Sequence, residues 1–150
     1  MSNGTPIMIL MADDDADDRD MTKEAFMESH LLNDLRFVED GVELMDFLHR
    51  RGTYSDPATS PRPGLILLDL NMPKKDGREA LAEIKADPKI QSIPVVVLTT
   101  SKEEEDIFRS YQLHANSYIT KPVKFDDLVR VVTSLGRYWM EIVELPLEKA

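Results

Sequence analysis

The chain has no cysteine in 150 residues, which excludes a disulfide framework and any thiolate metal site and suits a reducing, cytoplasmic setting. Long hydrophobic runs are missing as well. No apolar stretch approaches the roughly 20 residues needed to span a bilayer. The N-terminal run Ile7-Met8-Ile9-Leu10-Met11-Ala12 is cut short by Asp13 before it could serve as a secretory leader. Basic residues are in the minority, with 18 Lys and Arg against 28 Asp and Glu and a formal charge of −10. Phosphate backbones are bound by clustered Lys and Arg, so no nucleic-acid partner is expected. The three histidines, His30, His49 and His114, have no spacing that would let them share a metal.

What is present is a globular composition, 42% hydrophobic and 31% charged, at a length that fits one domain with a proper core. Strand-like and helix-like segments alternate, with no repeats, low-complexity tracts or linkers. Strands are expected at about 7–12, 35–38, 65–69, 93–98 and 116–120. Between and after them, helices are expected at about 16–29 (Met21, Ala25 and Phe26 on one side), 41–50 (Leu44, Phe47 and Leu48 inward), from Gly77 to before Pro88 (Ala80, Leu81 and Ile84), 102–113, and from Phe125 onward. A Pro- and Gly-punctuated loop covers 52–64. The strands are continuous apolar runs with no alternation, which implies a parallel sheet buried on both faces. The expected fold is therefore α/β: a doubly wound five-stranded parallel sheet of flavodoxin-like topology. By analogy with that fold the strand order is 2-1-3-4-5, with strands 1 and 3 adjacent at the switch point where ligands bind.

The strand ends carry the chemistry. Strand 1 runs into Asp13-Asp14, strand 3 ends at Asp69, strand 4 runs into Thr99-Thr100, and strand 5 into Lys121-Pro122. Three carboxylates in one cleft repel each other and are tolerated where a cation neutralises them. All-oxygen donors in a shallow site suit Mg²⁺. Lys121 and the Thr99 hydroxyl would face two further phosphoryl oxygens, giving a carboxylate nucleophile ringed by charge stabilisers for in-line phosphoryl transfer. Each residue also has an ordinary reading when taken singly. Asp15 or Asp17 caps the first helix, Asp69 starts an Asx turn before Pro73, Lys121 is a surface lysine, Thr100 or Ser101 caps the next helix, and Tyr118 is a core aromatic.

With these residues in place, the chain resembles the receiver domain of the two-component response-regulator family, from about Ile7 to Leu135. The resemblance is carried by Asp13-Asp14, by Asp69-x-x-x-Pro73 with Asp76-Gly77 behind it, and by Thr99 and Lys121-Pro122. It implies that Asp69 accepts phosphoryl from a sensor histidine kinase and that Asp13, Asp14, Asp69 and the Asn71 carbonyl hold Mg²⁺ or Mn²⁺. It also implies that Thr99 and Lys121 bind the phosphoryl group, that Tyr118 is a switch aromatic, and that the Lys121-Pro122 bond is cis. The 52–64 loop, the stretch Asn71 to Glu79 and the tail Tyr138-Trp139-Met140-Glu141 further resemble stand-alone receivers that accompany phytochrome-type sensor kinases, which implies a bacteriophytochrome as partner. Thr100 departs from the small residue many receivers carry beside the phosphoryl site.

Two rivals fit less well. An Asp-nucleophile phosphatase expects a second acid two residues after the nucleophile, where this chain has Asn71. A flavodoxin-like cofactor binder needs a Gly- or Ser/Thr-rich loop after strand 1, where this chain has Asp13-Asp14-Asp15. The expectation is thus a signalling switch and not a turnover enzyme, a single receiver over 1–150 with its core at about 7–137. The residues after Leu135 leave no room for an output domain, so output is expected through other proteins or self-association. Phe125, Leu128, Val131, Val132, Leu135, Trp139 and Ile142 follow helical spacing. With Tyr138 and Val143 they extend an apolar stripe into a tail at about 138–150, which is the expected surface of a homodimer.

Overall fold

The computed structural model describes residues 7–28, 33–99 and 117–134. It contains five strands, β1 (Ile9–Ala12), β2 (Leu35–Val38), β3 (Leu65–Asp69), β4 (Val95–Thr99) and β5 (Ser117–Thr120). The described helices are α1 (Ala16–Glu28), α2 (Gly41–His49), α3 (Gly77–Ala86) and α4 (Phe125–Ser134). A single 3-10 turn, Gly52–Tyr54, sits in the loop expected at 52–64. The helix expected at 102–113, Thr100, and the tail residues Tyr138, Trp139, Ile142 and Val143 lie outside the described residues.

All four strand pairings are parallel, in the order β2-β1-β3-β4-β5. Continuous apolar strands have this consequence, because successive side chains point to opposite faces and both faces must be covered. Leu10, Ala12, Ile66, Leu68, Val95 and Val97 join one buried cluster with Leu44, Met45 and Phe47 of α2 and Ala80, Leu81 and Ile84 of α3. Ile9, Met11, Leu65, Leu67, Val96 and Leu98 join the other, with Phe26 of α1 and Leu128 of α4. The sheet is thus wound with two described helices on each face.

Two local expectations are corrected. Met21, expected to face inward on α1, is 44% exposed. The helix instead packs through Thr22 and Phe26, one turn apart, and the Thr22 hydroxyl donates to the Asp18 carbonyl at 3.0 Å, which lets a polar residue take the buried position. On α2, Leu44 and Phe47 are buried and Leu48 packs partly buried against the same cluster, as expected, and Met45 joins them. Strand β4 also begins at Val95 and ends on Thr99, later than the expected 93–98, because Pro94 precedes it and the Pro94 carbonyl pairs with Ile66.

Helix starts are set by side-chain caps. Asp40 accepts from the Glu43 amide at the start of α2. Asp76 and Glu79 form a reciprocal capping box at the start of α3. Immediately inside that box, the Gly77 amide donates to the Leu70 carbonyl at 2.8 Å, so α3 begins in contact with the end of β3. A Cβ on Gly77 would lie 2.4 Å from the Asp69 carbonyl oxygen and 2.7 Å from Leu70 Cα, and both are backbone atoms that cannot step aside cheaply. Gly77→Ala is therefore expected to destabilise the fold by about 1–3 kcal/mol, the usual cost of overpacking. Urea unfolding would show it as a lower midpoint at unchanged slope.

Candidate functional site

The switch point lies where β1 and β3 run side by side. Ala12 pairs with Leu68, so the next residues along, Asp13 and Asp69, emerge together at the carboxyl edge. Asp13 is fully buried and Asp69 nearly so, while Asp14 faces outward. Carboxylate oxygens of all three lie within 4.8 Å of one another, the grouping expected of a cation site. From the other side of the sheet, Thr99 ends β4 and is buried, and its carbonyl accepts from the Lys121 amide at 2.8 Å. The Lys121-Pro122 peptide is cis, as the resemblance implied.

Lys121 reaches across the cleft. Its Nζ lies 3.0 Å from Asp13 Oδ2, 3.3 Å from Asp69 Oδ2 and 2.7 Å from Asp18 Oδ2. Asp18, the third residue of α1, was not singled out in the sequence. Its neighbours Asp15, Asp17 and Asp20 look the same on paper, and only its position in the first helical turn, facing back over the loop, marks it out. The cap of α1 is Asp15, whose Oδ1 accepts from the Asp17 amide at 2.8 Å. Arg19 was also missed; its Nη1 donates to the Asp13 carbonyl at 2.8 Å and steadies the loop behind the acids.

Asn71 is exposed, and its amide donates to Asp69 Oδ1 at 3.3 Å. The turn that follows is tight: Lys75 N–H donates to the Pro73 carbonyl at 2.7 Å around Lys74, whose φ is 67°. Tyr118 is 8% exposed and packs in the cluster covered by α2 and α3, so it sits inward as a core aromatic. The site therefore brings together Asp13, Asp14, Asp69, Thr99 and Lys121, while Tyr118 lies in the core on β5.

Electrostatics follow from burial. Desolvation first, then the neighbouring Asp13 charge, pushes Asp69 up to about 6 against the pull of Lys121 and the Asn71 amide. Burial also raises Asp13, partly offset by the Asp15 amide and Lys121. Burial alone would lower Lys121, but the hydrogen bond to Asp18, the close contact with Asp13 and the charge of Asp69 outweigh it and hold the ammonium above its usual range. Asp13 Oδ2 is buried and makes no well-formed hydrogen bond; its partner is the Lys121 ammonium at 3.0 Å, which it shares with Asp69 and Asp18. One ammonium shared among three carboxylates leaves this buried oxygen short of positive charge, and a hard cation would supply it. The donor set thus fits Mg²⁺ or Mn²⁺.

A raised Asp69 has a defined sign. The native state holds a proton in the window between about 4 and about 6 that the unfolded state has lost, so Asp69 costs stability above that window and not below it. In metal-free buffer near neutral pH, Asp69→Asn is expected to stabilise the fold by up to about 3 kcal/mol, at 1.36 kcal/mol for each pKa unit. Thermal melts of the two proteins would show the gain at neutral pH and its near-disappearance by about pH 4.

The model of the response regulator receiver domain matches residues 9–133. The chain is 47% identical over 145 residues to response regulator Rcp1 of Synechocystis sp., covering 97% of this chain and 96% of that one. The Mn²⁺-bound crystal form of Rcp1 superposes with a TM-score of 0.69, covering 94% of this chain and 99% of that one at 47% identity. The bacteriophytochrome response regulator AtBRR is 35% identical with a TM-score of 0.84, covering 96% and 99%. The phosphorylated cyanobacterial phytochrome response regulator RcpA is 45% identical with a TM-score of 0.70, covering 95% and 99%. Matched in its topology, in its acid cluster and along nearly its whole length, the chain belongs to the response-regulator receiver family.

Proposed function

We propose that Asp69 is the phosphoacceptor, taking a phosphoryl group from the phosphohistidine of a sensor histidine kinase. The observation that carries this reading is a nearly buried carboxylate at the end of β3, with Asp13 beside it and the Lys121 ammonium 3.3 Å away. An Asp69 oxygen attacks phosphorus, the O–P bond forms, and the P–N bond breaks with the electron pair returning to imidazole. Later, water attacks the same phosphorus, which releases inorganic phosphate and restores the carboxylate. Thr99 and Lys121 serve the phosphoryl oxygens, and Tyr118 responds to the occupied site as its switch aromatic. Asp13, Asp14, Asp69 and the Asn71 carbonyl hold Mg²⁺ or Mn²⁺, which when bound supplies positive charge against the phosphoryl oxygens.

The kinase is a phytochrome-type sensor, a reading supported by the bacteriophytochrome and phytochrome regulators among the similar structures. No helix among the described residues is long and apolar enough to cross a membrane, which agrees with a cytoplasmic setting for a partner of such a kinase. Output runs through protein contacts, and the receiver occupies about 7–137. The tail at about 138–150, with Tyr138, Trp139, Ile142 and Val143, builds a homodimer by its apolar spacing.

Three measurements test these assignments. Asp69→Asn is expected to remain folded and to show no phosphoryl mass gain by mass spectrometry after a small phosphodonor and Mg²⁺, and a gain equal to the parent's would reject the nucleophile. Asp14→Ala, losing one hard oxygen and one charge, is expected to weaken Mg²⁺ binding by about ten-fold or more in calorimetry. Light scattering at high micromolar concentration is expected to give a dimer for the full chain and a monomer for a chain ending at Arg137. Two monomers would reject the dimer.

A further inference from the structure

The ammonium of Lys121 has three carboxylates in reach, and it does not treat them alike. Its hydrogen bond goes to Asp18 Oδ2 at 2.7 Å, the shortest of the three distances. Asp13 Oδ2 lies 3.0 Å away and makes no well-formed hydrogen bond, although it is fully buried. The well-formed hydrogen bond of the lysine is therefore the one to Asp18, while Asp13 and Asp69 are held as ion pairs. Both ends of this contact stand on rigid elements. Asp18 sits in the first turn of α1, where its carbonyl accepts from the Thr22 hydroxyl at 3.0 Å. Lys121 leaves β5 with its amide bound to the Thr99 carbonyl at 2.8 Å.

A divalent cation and an ammonium compete for the same carboxylate oxygens. For a cation to enter, Lys121 must yield Asp13 and Asp69 without being left as an uncompensated charge in a mostly buried place. Asp18 is the only other carboxylate among the described residues within ion-pair distance of its Nζ. Building on the reading of this cleft as a Mg²⁺-dependent phosphoacceptor site, we infer that Asp18 is a positioning residue acting through Lys121: it holds the ammonium's hydrogen bond, so that Lys121 can give up Asp13 Oδ2 to the cation without losing its counter-charge. Without Asp18, Lys121 settles onto Asp13 and Asp69 and contends with the metal for them. Asp18 makes no contact with the reacting atoms and is not a catalytic residue.

A double-mutant cycle separates this role from that of a nearby negative charge. Mg²⁺ binding is measured by calorimetry at fixed ionic strength on the full chain as parent, Asp18→Asn, Lys121→Met and the pair combined, with thermal melts to confirm folding. Removing a negative charge weakens Mg²⁺ binding in both backgrounds alike if only through-space attraction is at work. If Asp18 acts through Lys121, Asp18→Asn weakens binding several-fold more in the parent than in Lys121→Met, with a coupling of about five-fold or more. Asp18→Ala, which also removes the residual amide acceptor, is expected to show at least the same coupling and serves in its place if the Asn variant folds poorly. Equal effects in the two backgrounds, or tighter Mg²⁺ binding in Asp18→Asn, would overturn the inference and leave the phosphoacceptor reading standing. A parent protein that binds no Mg²⁺ would overturn both.

Discussion

At the carboxyl edge of the sheet, Lys121 is the one ammonium that holds Asp13, Asp69 and Asp18 in the same small space. Like charges so close are unfavourable, and burial makes them more so by taking away the water that would otherwise screen them. Lys121 balances part of that charge and leaves the rest as a standing demand for a cation. The raised Asp69 and Asp13, and a buried Asp13 oxygen that shares its ammonium with two other carboxylates, express the same shortfall. The strand ends, the caps and the turn after β3 all serve to keep this imbalance in place.

The parallel sheet is what makes such a site possible. Its strands are apolar on both faces, so polar side chains can be placed only where the strands run out, and the 2-1-3 order puts two strand ends next to each other there. Gly77 lets α3 start against the backbone of Asp69 and Leu70, so the turn that carries Asp69 is braced by a helix and not left as a free loop. On the opposite side, Arg19 and the Asp15 amide fix the Asp13 loop. A phosphoryl group arriving at this edge would meet groups already oriented, which lowers the reorganisation needed in the transfer.

The chain is a receiver of the response-regulator family, and its site is tied through the backbone to the edge of the sheet. Thr99 and Lys121 belong to β4 and the segment after β5, and their backbones are joined by the bond from the Lys121 amide to the Thr99 carbonyl. Tyr118 lies on β5, three residues before Lys121, and packs on the α2 and α3 side of the sheet. Any shift in Thr99 or Lys121 is therefore mechanically tied to β5, the edge strand of the sheet.

Much of this was legible in the order of residues alone. Apolar runs of four or five residues closed by acids, hydroxyl and ammonium were enough to fix the α/β class, and β2, β3 and the start of α4 fall where the periodicity put them. Asp13, Asp14, Asp69, Thr99 and Lys121 stood out because each closes a strand, and strand ends are positions that a local pattern can define. What the pattern could not define was anything that depends on how helices roll against the sheet. Thr22 takes the buried place on α1 and Met21 is exposed, because a hydroxyl can satisfy itself on the preceding turn. Asp18 is the clearest case: in a run of acids at a helix start it has no distinguishing neighbour in sequence. It pairs with Lys121, 103 residues away, only because the winding of the sheet brings α1 and the end of β5 to the same edge.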